Sequence, residues 1–238
     1  MEGDNGRRKS RLISLVKALL KSDKLIYLED SSKWLLIASG NVKSNTKILS
    51  NAVVTSLGVL LMSISARTSL ITPFTEVPFT FQTLILIILT LLLKRDAWKV
   101  VTTYLMLGFA GLPVFAYGGG LQYLMSPTTG YLIGFLTASL LGYLVGNKRS
   151  IVRFVLLSLS AICLVYLFGW MWLSIYYSVT TGFLNVFNSM FMAFIRGVLP
   201  FIVWDVMKAL IASLIAYEVS RATHALKAIK SLLGNFLR

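Results

Sequence analysis

Residues 154–179 read FVLLSLSAICLVYLFGWMWLSIYYSV, an apolar run without a charged side chain. A helix needs about 20 apolar residues to cross a hydrocarbon core of about 30 Å, so this run is long enough to span a membrane. The rest of the chain agrees, because 56% of its 238 residues are hydrophobic and only 13% are charged. Such a composition is typical of an integral membrane protein and not of a soluble domain.

Charges divide the apolar sequence into six candidate spans. They cover residues 52–72, 79–93, 100–116, 128–146, 154–182 and 197–217. The second span is short, which requires either an extension into the following KRDAW or a locally thinner bilayer. The sequence therefore predicts an all-α integral membrane protein built as a bundle of six transmembrane helices.

The net charge of +14 does not indicate nucleic-acid binding, because the basic residues lie between apolar runs and form no face interleaved with aromatic residues. The segments after the second and fourth spans hold three Lys or Arg each, and those after the first and third hold none. With six spans and cytoplasmic N- and C-termini, every basic residue except Arg67, Arg196 and Lys208 lies inside, which is 20 of 23. We therefore expect a multi-pass protein of the plasma membrane.

The uncharged stretch is long enough to raise the question of a seventh span. Residues 154–195 carry no charged side chain. A seventh span would place the basic C-terminal tail outside the cell, against the positive-inside rule. We therefore interpret residues 178–195 as the outer end of the fifth helix followed by an interfacial connection.

The predicted domain organisation has three parts. Residues 51–220 form the six-helix membrane domain, and residues 221–238 form a basic cytoplasmic tail. Residues 1–50, with ten Lys and Arg, form a basic cytoplasmic extension. Within it, RLISLVKALLK (11–21) has an apolar and a basic helical face, which suits a helix on an anionic membrane surface. An extension that only orients the protein is the alternative.

Two charges lie inside the sixth span, in VLPFIVWDVMKALIA (198–212). A charged side chain within a membrane is expensive and is therefore a functional candidate. Asp205 and Lys208 are three residues apart, so they share one face of the predicted helix. They either neutralise each other as a structural ion pair or converge on a polar ligand.

Further polar candidates lie near the outer ends of the spans. Gln82 begins the second span, and Tyr131 follows a Ser-Pro-Thr helix start as either an interfacial aromatic or a ligand contact. Arg67 either extends to the membrane surface or faces a ligand. Gly119 is the middle residue of a triple glycine, where a ligand can approach the backbone closely.

Signatures of enzymes are weak. The single histidine, His224, lies in the tail, and Asp205 has no second carboxylate at catalytic spacing. The single cysteine excludes an internal disulfide and offers no spacing of metal ligands. No G-x-x-x-x-G-K-[ST] motif is present, so ATP hydrolysis by that route is excluded. We expect no enzymatic activity, no bound metal and no cofactor.

Four segments together resemble one family. They are PFTEVPFTFQTLILI, GFAGLPVFAYGGG, SPTTGYLIGF and GVLPFIVWDVMKALIAS, all within residues 73–213. In order and spacing they are similar to P-V-P-x-T-x-Q-T, G-x-P-V-F-x-x-G-x-G, G-P-T-G-G-Y-L-x-G-F and P-F-x-x-x-D-x-x-K-A. These patterns characterise the BioY family, the biotin-capturing S components of energy-coupling-factor (ECF) transporters.

The resemblance implies a biotin-binding subunit with its site near the outer face, closed by the loops that follow the first and third spans. It implies that the substrate contacts come from Asp205, Lys208, Tyr131 and Gln82. The ureido ring of biotin offers N–H donors and a carbonyl acceptor, which a carboxylate and an ammonium group satisfy. The valerate carboxylate needs a donor or a cation.

One departure from the family patterns concerns that carboxylate. Pro127 stands where some members carry a basic residue, and Ser126 and Thr129 stand where glycine is usual. The resemblance then implies that Arg67 or backbone N–H groups of a loop take over the valerate carboxylate.

The resemblance also implies partners. They are a transmembrane coupling protein and two ATP-binding-cassette ATPases, with biotin as the transported substrate. Docking on the coupling protein typically uses an A-x-x-x-A patch on the first helix, and this chain has Ala52 and Ser56 there. An S component for a different vitamin and a membrane enzyme acting on a lipid are the two alternatives.

Overall fold

The computed structural model describes residues 42–236 apart from 71, 74, 147–149 and 181–185, with side chains over residues 48–226 of that part. The predicted surface helix at residues 11–21 therefore lies outside the described residues. Internal contacts divide the chain into two units between Val53 and Val54. The described part of the first unit, from Val42 onward, is helical, and the second unit holds the rest of the described fold.

The described residues form seven α-helices. They are α1 (Val42–Arg67), α2 (Gln82–Leu93), α3 (Ala97–Phe109), α4 (Thr129–Ser139), α5 (Ile151–Thr180), α6 (Val186–Gly197) and α7 (Ile202–Phe236). Three short 3-10 turns lie at Lys94–Asp96, Leu121–Met125 and Leu140–Leu144. Pairing between extended segments in this part of the chain is limited to two isolated bridges, Leu70 with Phe79 and Phe115 with Gly118. The protein is thus mostly helical, as predicted.

Helix length limits which elements can cross a bilayer alone. Two stretches, Ile48–Arg67 and Ile151–Thr180, are long and apolar enough. A third crossing results when Val186–Gly197 and Ile202–Leu226, which meet at a bend of 50°, are taken as one broken span. Because α2 has 12 residues and α3 has 13, each rises only about 18–20 Å. That the chain crosses the membrane six times stays a prediction.

The prediction of an interfacial connection at residues 178–195 missed a helix. The chain continues in α5 as far as Thr180, and residues 186–197 form α6. The indole N–H of Trp170 donates to the carbonyl of Met190 at 2.9 Å, so α6 packs against α5. Three small buried residues at four-residue spacing, Ser189, Ala193 and Gly197, permit the close approach of α6 to its neighbours. No charge or proline between residues 180 and 186 marks α6 as separate from α5.

Helix α5 is the centre of the second unit, because it packs against α4, α6 and α7, while α2 packs against α7. Glycine permits one of these contacts: a Cβ atom on Gly134 of α4 would lie 2.7 Å from the Cα atom of Val165. Between α5 and α7, the hydroxyls of Ser158 and Ser213 are 2.7 Å apart and fully buried. These packings bring α2, α4, α5 and α7 around one pocket.

Candidate ligand-binding site

The pocket contains about 590 Å³ of empty space, including the space at its mouth. Helices α2, α3, α4, α5 and α7 and the loops that precede α2 and follow α3 contribute its walls. The lining residues are Val77, Pro78, Thr80, Gln82, Thr83, Tyr104, Phe115, Ala116, Tyr123, Thr128, Tyr131, Leu132, Phe135, Val165, Tyr166, Phe201, Asp205 and Lys208.

Asp205 and Lys208 form an ion pair in the wall of the pocket. The Lys208 Nζ atom donates to the Asp205 Oδ1 atom at 2.9 Å, and only 5% and 6% of the two residues is exposed. The prediction that Asp205 and Lys208 share one face of the helix is therefore confirmed. At this degree of burial a charge is tolerated only when it is paired and hydrogen-bonded, so the two groups depend on each other.

Asp205 has two further donors that the sequence did not reveal. The Thr83 hydroxyl donates to Oδ1 at 2.9 Å, and the Tyr166 hydroxyl donates to Oδ2 at 2.6 Å. Tyr166 lies in the uncharged run of α5, where a tyrosine suggests an interfacial residue as readily as a site residue. Only the packing of α5 against α7 shows that its hydroxyl meets the carboxylate.

Lys208 is held by the loop before α2 as well as by Asp205. Its Nζ atom donates to the backbone carbonyl of Thr80 at 2.7 Å. The same atom lies 4.2 Å from the centre of the Phe79 ring, within the range of a cation–π contact. The ammonium group therefore links α7 to the loop that covers the pocket.

A second group of polar side chains lines the same pocket and makes hydrogen bonds of its own. The Gln82 amide donates to the Tyr104 hydroxyl at 2.9 Å, and that hydroxyl donates to the carbonyl of Val114 at 3.2 Å. The Thr128 hydroxyl donates to the Tyr123 hydroxyl at 3.1 Å. Thr128 is the residue that precedes α4, so this part of the pocket also faces a helix N-terminus.

Tyr131 lines the pocket with its ring, while its hydroxyl is used elsewhere. It is 8% exposed, and the hydroxyl donates to the carbonyl of Gly197 at 2.8 Å. A Cβ atom on Gly169 would lie 2.4 Å from the Tyr131 ring, so glycine there leaves the ring its space. Tyr131 is thus buried between helices and is not an interfacial residue.

Arg67 and Gly119 do not line the pocket. Arg67 is exposed, and its Nε and Nη2 atoms donate to the carbonyl of Pro113 at 3.1 and 2.7 Å. A Cβ atom on Gly119 would lie 2.1 Å from the carbonyl oxygen of Leu112, so this glycine permits a close turn of the loop itself. Their direct contact with a ligand stays a prediction.

Glu76 connects the loop before α2 to two helices. Its carboxylate lies 3.0 Å from the Arg196 Nη1 atom and accepts a hydrogen bond from the Tyr177 hydroxyl. Burial alone would raise the pKa of the Glu76 carboxyl, but the Tyr177 hydrogen bond and the Arg196 charge outweigh it and lower that pKa. The carboxylate is therefore ionised at neutral pH.

Ala52 and Ser56 are both exposed on α1 and lie four residues apart. Such spacing places them on the same face of the helix. Their role in docking stays a prediction. Within the described residues, no group of three or more His, Cys, Asp or Glu side chains is placed to hold a metal ion.

The apolar helices and the pocket between them define the class, a helical membrane protein with an internal pocket that polar side chains line. The model of the BioY family matches residues 38–225. The chain belongs to the BioY family.

Relatives agree with this assignment. The chain is 39% identical over 170 residues to the probable biotin transporter BioY of Pyrococcus horikoshii, covering 71% of this chain and 94% of that protein. It is 33% identical over 152 residues to the biotin transporter BioY of Thermotoga maritima, covering 63% and 84%. A crystal structure of the S component for biotin from an ECF-type ABC transporter has the same fold, with a TM-score of 0.62 and 20% identity over 74% of this chain and 94% of that one.

Proposed function

We propose that this protein is the biotin-binding S component of an ECF transporter and mediates biotin uptake. The observation that carries the proposal is the buried Asp205–Lys208 pair in the wall of the pocket. Membership of a family whose relatives are named biotin transporters supports the choice of substrate.

The hydrogen bonds of the ion pair favour the ureido ring of biotin as its partner. A carboxylate offers about four acceptor positions and an ammonium group three donors. Within the described residues, Asp205 accepts three hydrogen bonds and Lys208 donates two, so one acceptor and one donor remain. A cyclic urea presents an N–H group beside a carbonyl and matches that remainder. A second carboxylate would instead be repelled by Asp205.

The valerate carboxylate then lies toward Tyr123 and Thr128. The Tyr123 hydroxyl accepts from Thr128 and retains its own proton for donation, and the N-terminus of α4 favours negative charge. Because Pro127 supplies no cation and Arg67 is engaged with Pro113, these neutral donors replace the basic residue that some members carry. Tyr131, Gln82 and Gly119 complete the proposed site as side-chain and loop contacts.

The membrane arrangement is proposed from the charge pattern and the helices together. Six crossings with both termini in the cytoplasm place the pocket near the outer face of the plasma membrane. In this arrangement α7 is the sixth crossing, α6 lies in the interfacial connection before it, and the short α2 and α3 extend through their flanking turns. Residues 51–220 are the membrane domain, between the basic extension 1–50 and the tail 221–238.

Energy for uptake is proposed to come from partners. A transmembrane coupling protein docks on α1 at Ala52 and Ser56, where small side chains permit close helix contact. Two ATP-binding-cassette ATPases attached to it hydrolyse ATP, and the protein itself performs no chemistry and needs no cofactor.

Equilibrium binding of labelled biotin to the purified protein tests the function. We expect saturable binding of one biotin per chain at submicromolar concentration. A different vitamin that raises the melting temperature while biotin does not would indicate another S component. Turnover of a lipid that Asp205→Ala abolishes would indicate an enzyme. Either result would replace the proposed function.

A further inference from the structure

The loop between α1 and α2, residues 68–81, forms part of the pocket wall through Val77, Pro78 and Thr80. Glu76 directly precedes these residues. Its carboxylate contacts Arg196 at the end of α6 and Tyr177 near the end of α5. Its backbone carbonyl accepts a hydrogen bond from Tyr117 at 3.3 Å.

These contacts make Glu76 a junction of separate elements. Tyr117 belongs to the loop after α3, which lines the pocket through Phe115 and Ala116. Through Glu76, the two loops that cover the pocket are therefore joined to each other and to the C-terminal ends of α5 and α6. We call Glu76, Tyr117, Tyr177 and Arg196 the Glu76 cluster.

We propose that Glu76 is a positioning residue that holds residues 75–81, the end of the loop before α2, over the pocket and sets the rate at which a bound ligand leaves. The inference rests on the proposed function, since the ligand is taken to be biotin. Glu76 itself does not line the pocket, so it acts through Val77 and Pro78.

Other attachments of the loop lead to itself and to the start of α7. The Leu70–Phe79 bridge closes the loop on itself, Lys208 holds Thr80, and the Phe79 ring contacts the rings of Phe201 and Trp204. The Glu76 carboxylate is the group that joins the loop to both α5 and α6 through the contacts described above. Glu76 stands at the first proline of the family pattern P-V-P-x-T-x-Q-T. The contacts of its carboxylate are therefore a feature of this chain and not of the pattern.

A single half-exposed ion pair stabilises a loop position only slightly. The Glu76 carboxylate, however, makes both an ion pair with Arg196 and a charge-assisted hydrogen bond with Tyr177. Both are lost when the loop lifts, because Arg196 and Tyr177 stay on their helices. The closed position is therefore favoured over an open one by two interactions that act together.

The test is the dissociation rate of pre-bound labelled biotin after a chase with unlabelled biotin. Glu76→Gln keeps the size of the side chain and removes its charge. We expect dissociation to become about three- to tenfold faster, the effect of weakening both interactions of a half-exposed carboxylate. Tyr177→Phe, which leaves the ion pair intact, is expected to accelerate dissociation by about twofold to threefold.

Two controls separate loop closure from general stability. Asp96→Asn breaks the exposed Lys99–Asp96 pair in the turn between α2 and α3, away from the pocket lining, and should leave the dissociation rate unchanged. The double exchange Glu76→Arg with Arg196→Glu should return the rate to within about twofold of the original, because the pair is re-formed with reversed polarity. In Glu76→Gln, the amides of residues 75–77, 79 and 80 should also exchange hydrogen faster with biotin bound.

The outcomes distinguish the two levels of the proposal. Biotin binding by the original protein with an unchanged dissociation rate in Glu76→Gln and Tyr177→Phe would overturn the role of Glu76 and leave the proposed function standing. No biotin binding by the original protein would overturn both.

Discussion

The structure contains two carboxylate–cation pairs of almost equal length in opposite surroundings. Asp205 and Lys208 lie 2.9 Å apart with side chains 7% and 8% exposed, and Glu76 and Arg196 lie 3.0 Å apart with side chains 38% and 44% exposed. The distance between the charges therefore does not distinguish the pairs. Water does, because it can replace a lost partner at Glu76 and not at Asp205.

This difference assigns different roles to the pairs. The buried pair is expensive to assemble, needs Thr83, Tyr166 and Thr80 to complete its hydrogen bonds, and leaves one donor and one acceptor toward the pocket. Breaking the exposed Glu76–Arg196 pair costs little free energy, which suits a loop that opens when the ligand enters or leaves. Burial thus separates recognition of the ligand from control of its exchange.

The largest expected effect follows from breaking the buried pair. Asp205→Ala removes a ligand contact and leaves Lys208 as an unpaired buried charge, a change that costs about 3–5 kcal/mol in comparable sites. We expect biotin affinity to fall at least tenfold and the melting temperature to decrease. Equilibrium binding and thermal unfolding measure both, with Glu76→Ala as the surface counterpart that should retain the melting temperature. Unchanged affinity would restore the interpretation of Asp205 and Lys208 as a purely structural pair.

A smaller effect is expected from the donor that the sequence did not reveal. Tyr166→Phe removes a hydrogen bond to a charged group, worth about 1.5–3 kcal/mol, and releases one oxygen of Asp205. We expect biotin affinity to fall by about tenfold, the equivalent of about 1.4 kcal/mol. Tyr176→Phe, a neighbour on the same helix outside the pocket lining, is the matched control. Equal biotin affinities of the two variants would show that Tyr166 does not contribute to ligand binding.

Biotin and its methyl ester distinguish the two polar groups of the pocket. Tyr123→Phe removes the proposed donor to the valerate carboxylate, and we expect affinity for biotin to fall about fivefold, the loss of one hydrogen bond. Affinity for the methyl ester, which lacks the negative charge, should change much less. A similar loss for both ligands would mean that Tyr123 does not meet the carboxylate.

The smallest effect is expected at Arg67, because this side chain is exposed and holds a loop carbonyl outside the pocket lining. Arg67→Gln should lower biotin affinity by no more than about twofold, as is usual for one exposed interaction. A binding titration decides the point. A tenfold loss would instead support the direct contact that the sequence suggests.

The features that could be predicted from the sequence are those that depend on residues close together in the chain. The three-residue spacing of Asp205 and Lys208 fixes their shared face, and the apolar run after Arg153 is the long helix α5. Family membership also follows from short motifs and is confirmed by the family model. The contact between Tyr166 and Asp205 depends on how two distant helices pack, which no local pattern contains.

Other differences have equally physical causes. Helix α6 has no charge or proline to separate it from α5, and its small buried residues indicate packing only once the partner helix is known. Helix α3 ends at Phe109 and not at residue 116, because a turn at Gly111 and Pro113 interrupts the apolar run. Glu76 gave no signal, since its partners lie 101 and 120 residues away.

The most direct test of the central claim is a structure of the protein with biotin bound. The account predicts that the ureido ring lies in the pocket, with its N–H and carbonyl groups within about 3.2 Å of Asp205 and Lys208. The valerate carboxylate should then lie at Tyr123 and Thr128. Biotin bound outside the pocket, or inside it with its carboxylate at Lys208 and its ring away from Asp205, would contradict the account.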